Sequence, residues 1–233
     1  MSAVFKREFK SYFATPLGFI IIAVFTFFSG MFFSVIYSSG APNVEMVIST
    51  LSTVALFAVP FITMRLISED RRQKVDQVLL TAPVSVTGIV MGKFLAALAL
   101  YGLGFAATLV YQLIVTFYVT VNWVIYLYSL LGIILLGAVL ISIGMFISSL
   151  TESPVVSAAL TFGVFLGIML LGTYASSTGY SWLVNISEAV SFLDRFSGFV
   201  SGQLNVADIV YMSTVAALFI FLTVRSVEKR RWA

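Results

Sequence analysis

FLAALALYGLGFAATLVYQLIVTFYVTVNWVIYLYSLLGIILLGAVLISIGMFISSLT, residues 94–151, is a run of 58 residues without one Asp, Glu, Lys, Arg or His, closed by Lys93 on one side and Glu152 on the other. As a single helix it would extend about 87 Å at 1.5 Å per residue, nearly three times the ~30 Å hydrocarbon core of a bilayer. It therefore reads as two membrane spans joined by a turn. The turn falls at 120–123, where Asn122 interrupts the apolar run and Trp123 and Tyr126 supply aromatic rings suited to a membrane interface.

The same arithmetic works outward in both directions. Residues 17–37 are almost wholly apolar, 21 residues within the uncharged stretch between Lys10 and Glu45, about 31 Å as a helix. A second span covers about 46–67 with Arg65 at its end, the long run divides into 94–119 and 124–149, a fifth span follows Pro154 at 155–174, and a sixth covers 206–224. The fold class is an all-α integral membrane protein of six transmembrane helices, a single transmembrane domain over 1–233. Composition agrees: 10% of the residues are charged and 60% hydrophobic, against roughly 25% charged in a soluble domain. With no Cys and no His, disulfides, Cys/His zinc or iron–sulfur sites and His-based catalytic triads are excluded. No autonomous enzyme is expected.

The few charges fix the orientation. Lys6, Arg7 and Lys10 precede the first span; Arg65, Arg71, Arg72, Lys74 and Lys93 surround the loop after the second; Arg225, Lys229, Arg230 and Arg231 follow the sixth. Six spans place all twelve on one face, which the positive-inside rule makes cytoplasmic together with both termini. Arg195 is the exception. The net charge of +3 thus reports topology, and no nucleic-acid partner is expected.

Ahead of the first span, Phe5, Phe9, Tyr12 and Phe13 share one stripe at 100° per residue while Lys6, Arg7 and Lys10 lie opposite. This predicts an amphipathic helix in the headgroup region; the alternative is a frayed basic tail. A cleaved signal peptide fits less well, because the apolar run exceeds an h-region and a segment containing Glu8 precedes it.

The densest charged segment is 68–91. Ser68 can cap a helix whose first turn carries Glu69 and Asp70, and Arg71, Val75, Val78, Leu79 and Ala82 recur on one face before Pro83 ends it. The expectation is a short helix over about 69–82, either resting on lipid or docking a cytoplasmic partner through Glu69, Asp70, Arg71, Arg72, Val75, Val78 and Leu79. Gly88-Ile-Val-Met-Gly92-Lys93-Phe94 fails as a nucleotide-binding loop, since the glycines are too close and Phe94 stands where Ser or Thr would ligate magnesium. Gly88 with Gly92, and Gly163 with Gly167, are read as helix-packing positions, and Pro60 as a bend near the end of the second span. The expected span interiors hold no ionisable residue, which counts against a self-powered transporter; Gln112 is read as bonding a neighbouring helix. Between spans five and six, Ile186, Val190, Leu193, Phe196 and Val200 permit one amphipathic helix on the outer face.

Several stretches resemble the permease subunits of ABC type-2 exporters, particularly the compact gliding-motility-associated branch. Pro60, Thr63, Met64, Arg65, Glu69, Arg71 and Arg72 are similar to its span-two exit, and Leu79-Leu80-Thr81-Ala82-Pro83-Val84-Ser85 followed by Gly92-Lys93-Phe94 to its loop and span-three entry. Ser148-Ser149-Leu150-Thr151-Glu152, the stretch with Phe196, Gly198, Asp208 and Tyr211, and Glu228-Lys229-Arg230-Arg231-Trp232 are similar as well. The resemblance implies that 69–82 is a coupling helix pressed into a separate ATP-binding subunit, and that the helix of Phe5, Phe9 and Phe13 is an interfacial elbow. It implies a second permease copy or homologue, ATP and magnesium held by the partner with no cofactor in this chain, a bacterial inner-membrane location and an envelope accessory protein. A membrane scaffold that recruits an ATPase without moving a solute, or a secondary transporter, stays open as the alternative.

Overall fold

Short polar and proline signals set most of the helix starts. The computed structural model describes residues 2–38, 40, 43–72, 85–178 and 180–231. Its helices are α1 (Ser2–Ala14), α2 (Pro16–Ser38), α3 (Val44–Thr63), α4 (Ser68–Arg72), α5 (Val86–Gly104), α6 (Ala106–Thr116), α7 (Trp123–Leu150), α8 (Pro154–Thr178), α9 (Ser181–Val190), α10 (Phe192–Val200) and α11 (Val206–Arg231). Pro16 and Pro154 occupy first helical positions, where a missing N–H costs nothing. Asn43, Ser85 and Asn122 cap α3, α5 and α7 by accepting the N–H groups of Met46, Gly88 and Val124 at 3.2, 3.2 and 3.0 Å.

Among the described residues, six segments are long and apolar enough to cross a membrane: Pro16–Ser38, Val44–Arg72, Val86–Thr116, Trp123–Leu150, Pro154–Ala175 and Val206–Lys229. The chain is an all-α integral membrane protein, and no strand forms among the described residues. The third span differs from its expected bounds. It starts at Val86 rather than 94, because the Ser85 cap initiates the helix, and so it takes Lys93 inside. Lys93 thus lies inside the helix near its start, at the end where α1 and α4 meet it. This span also breaks between α5 and α6, where the Phe105 N–H bonds the Gly102 carbonyl at 3.1 Å in a 3₁₀-type turn.

The central element is α7, against which α3, α5, α8, α10 and α11 pack. Its glycines receive large neighbours. A Cβ at Gly132 would lie 2.7 Å from the Phe199 Cβ, and one at Gly137 would overlap the Tyr101 ring. Around this core, α2, α8 and α11 expose Phe19, Phe27, Leu170, Leu218 and Phe221, as a lipid-facing surface requires. At Gly163 and Gly167 a Cβ would meet no atom of the described residues within 4 Å, so among them neither draws two helices together. Gln112 is buried, yet neither amide atom finds a hydrogen-bond partner among the described residues, so the helix-to-helix bond expected of it is not formed within them.

The outer segment is two helices rather than one. Ser191 ends α9 and caps α10, accepting the Asp194 N–H at 3.3 Å, and this break rotates the buried face of α10 to Phe192, Phe196 and Phe199. Arg195 pairs with Asp208 of α11 at 2.8 Å and lies over the Tyr211 ring, its guanidinium carbon 4.0 Å from the centroid.

Candidate functional site

The end of the bundle that gathers α1, α4, the start of α5 and the α7–α8 loop carries most of the described ion pairs, and it is assembled around one lysine. Gly92 lets α1 lie on α5: a Cβ there would stand 3.0 Å from the Val4 side chain and 3.2 Å from the Phe5 nitrogen. This close approach places Lys93 under α1 and beside α4. Its Nζ is 2.7 Å from Asp70 Oδ2 and 3.2 Å from Glu8 Oε1, with its side chain only 3% exposed. Arg7 adds a second cation to Glu8, Nη2 to Oε1 at 2.5 Å. Lys93 thus ties three elements far apart in sequence, and a buried pair of this kind is costly to break from one side.

Tyr12 makes a second tie. Its side chain is buried and its hydroxyl donates to the Ile62 carbonyl at 3.1 Å, one of the last four carbonyls of α3, which have no partner within their own helix. Burial first, and then the negative charge of Glu8, push the phenol's pKa far up, so the donor keeps its proton throughout the physiological range. Tyr12→Phe keeps the packing and leaves the carbonyl bare. It is expected to cost about 1–3 kcal/mol, read as a lowered thermal midpoint in detergent micelles.

The helix α4 is seated on the far end of α7. Ser148 Oγ accepts the N–H groups of Ile67 and Ser68 at 3.2 and 3.1 Å and donates to the Met64 carbonyl at 3.3 Å. Ser68 Oγ also donates to the Met64 carbonyl. Arg71 turns inward and donates from Nη1 to the Thr151 carbonyl at 2.9 Å. On the outer side Arg65 and Glu69 pair at 2.6 Å across one helical turn, and Arg72 is exposed. No group of three or more His, Cys, Asp or Glu side chains that could hold a metal ion forms among the described residues. What the arrangement can do is mechanical: a displacement of α4 pulls on α1 and α5 through Lys93 and on α7 through Ser148.

The sequence matches the ABC-2 type transporter family over residues 1–204. The chain belongs to that family. It is therefore a permease subunit of an ABC transporter and a multi-pass membrane protein, of a family that generally partners with an ATP-binding subunit. No match was found among curated proteins.

Within the permease, the residues singled out from sequence are distributed as follows. Glu69, Asp70, Arg71 and Arg72 share α4, but only Asp70 reaches the lysine and Arg71 serves an internal contact. Val75, Val78 and Leu79, with the rest of the expected 69–82 helix beyond Arg72, lie outside the described residues. Phe5, Phe9 and Phe13 are half-buried and form a ladder, with centroids 5.7 and 5.2 Å apart, that continues to Phe19 of α2 at 5.4 Å. The fully inward line of α1 is instead Val4 and Tyr12, with Glu8 between them meeting Lys93. Gly88 donates to the Ser85 cap, and Pro60 lies in the last turn of α3, where its carbonyl accepts the Met64 N–H at 2.9 Å. The stretch from Gly88 to Phe94 is continuous helix, not a phosphate-cradling loop. Lys93, Glu8, Tyr12, Ser148 and Thr151 form the network that pattern reading did not assemble. The signals for its parts were Tyr12 in the α1 stripe and the similarity of 92–94 and 148–152 to family segments.

Proposed function

We propose that the permease is driven by a separate ATP-binding subunit docked on α4 and the segment that follows it, and that two such permeases form an export path across the bacterial cytoplasmic membrane. ATP and magnesium belong to the partner. The observation that supports this reading best is the Lys93 joint: Asp70 of α4 shares one buried ammonium with Glu8 of α1, so a push on α4 reaches the elbow helix and the third span without an intervening loop. The basic end also gathers the clusters that the positive-inside rule assigns to the cytoplasm. Export, pairing of permeases, an envelope accessory protein and membership of the gliding-motility-associated branch follow from the residue resemblances alone.

Arg72→Glu reverses an exposed charge on α4 and spares the internal contacts of Asp70 and Arg71. It is expected to weaken association with the ATP-binding subunit by about tenfold while leaving membrane insertion intact, as charge reversals at an interface act on partner choice. Unchanged association and unchanged permease-dependent ATPase activity would overturn docking at α4.

A further inference from the structure

Between α2 and α3 the bundle leaves an apolar slot of about 700 Å³, within the usual size range of ligand cavities. It runs from Pro16 to Phe28 on α2, about 18 Å at 1.5 Å per residue, and from Thr53 to Phe61 on α3, with Arg65 just beyond the end of that helix. One leaflet contributes about 15 Å of the ~30 Å core, so the slot matches the depth of one leaflet, the one on the basic side. At that end it meets a second cavity of about 310 Å³, and the two share Leu17 and Arg65. The second chamber is polar, walled by Arg7, Glu8, Arg65, Glu69 and Asp70 with the hydroxyls of Ser11 and Thr15.

An apolar arm one leaflet deep opening into a polar head chamber has the outline of a phospholipid, and the charges select its class. Two cations of the wall, Arg7 and Arg65, together with Lys93 buried behind it, pair with the three carboxylates Glu8, Glu69 and Asp70 at 2.5, 2.6 and 2.7 Å. The chamber is balanced, so a head with net charge of either sign meets as much repulsion as attraction. A head bearing a phosphate and a primary ammonium meets a partner at both ends, and the ammonium donates hydrogen bonds that a quaternary amine lacks. Arg65 uses Nε and Nη2 on Glu69, and a guanidinium carries five N–H donors in all, which leaves capacity for a phosphate oxygen.

We propose that the α2–α3 slot is a resident lipid site for a phospholipid with a phosphoethanolamine head, the chain lying between Ile20 and Phe57 and the phosphate at Arg65. The site goes beyond transport: it needs only that the chain sits in a membrane. The test uses the full chain in nanodiscs of mixed ethanolamine, glycerol and choline phospholipids, each in turn carrying a photoactivatable acyl chain, with crosslinked peptides located by mass spectrometry. The ethanolamine lipid is expected to label α2 and α3 at least fivefold above the other two, and to remain as a single adduct in native mass spectra of the purified chain. Ala58→Trp, which fills the slot, is expected to cut the labelling about fivefold. Thr53→Trp, on the exposed rim of the same slot, gives the same result should the first variant fail to fold. Arg65→Gln is expected to remove the head preference while retaining chain labelling. Equal labelling by the three lipids, or labelling unchanged by a folded slot-filling variant, would overturn the proposal.

Discussion

Replacing Lys93 with Met is expected to destabilise the permease by about 3 kcal/mol, the lower end of what removing one partner of a buried ion pair costs. Met keeps the length and apolar packing of the lysine stem, so the loss isolates the charge. It leaves the carboxylates of Glu8 and Asp70, 15% and 20% exposed, facing each other's neighbourhood without the ammonium between them. Their residual contact with solvent is the reason for placing the value at the lower end. Adding Glu8→Gln and Asp70→Asn to Lys93→Met is expected to recover most of the loss, because contacting residues are strongly non-additive. The measurement is the thermal midpoint of the single and triple variants in one detergent. A single variant as stable as the parent would show that the lysine fastens nothing.

Gly137→Leu carries the other large effect. Tyr101 is wholly buried, with rings of Phe25 and Phe105 at 5.9 and 5.0 Å from its own, and a Cβ at position 137 already overlaps that ring. Overpacking costs about 1–3 kcal/mol where a neighbour can yield. A buried aromatic held on two sides yields little, so a loss above about 3 kcal/mol is expected by the same reasoning. The readout is the yield of monodisperse protein together with its thermal midpoint. Gly163→Leu is the control: a Cβ there meets no atom within 4 Å, and the fold of the single chain is expected to tolerate it. Equal damage from both would contradict the central place of α7.

The contrast between these glycines marks what was legible in the sequence. The six spans could be read because apolar length is a one-dimensional property, and 94–151 could only fold as a hairpin. The turn at Asn122 was legible for the same reason, and the residue proved to be the cap of α7. Packing is three-dimensional: the spaced pair Gly163–Gly167 looks like a contact motif and makes none among the described residues, while Gly132 and Gly137 meet large side chains at no recognised spacing. In α1 the apolar stripe was read through Phe5, Phe9, Tyr12 and Phe13, of which only Tyr12 is fully buried; the line that turns inward runs from Val4 through Glu8 to Tyr12, because Lys93 supplies a partner that no periodicity in α1 reveals. Lys93 itself was read as a span boundary since hydropathy counts a charge as an end. The structure buries it by bringing two carboxylates from other elements. Arg71, read as facing outward to a partner, finds the Thr151 carbonyl 80 positions along the chain, a pairing that sequence distance conceals.

Whether the permease draws its power from another chain through its basic end is decided by purifying it from its native membrane in mild detergent and assaying the complex for ATPase activity and transport after reconstitution. An ATP-binding subunit in stoichiometric amount is expected, with transport that requires ATP and both chains. Recovery of the chain without any nucleotide-binding partner, together with transport driven by an ion gradient alone, would contradict it.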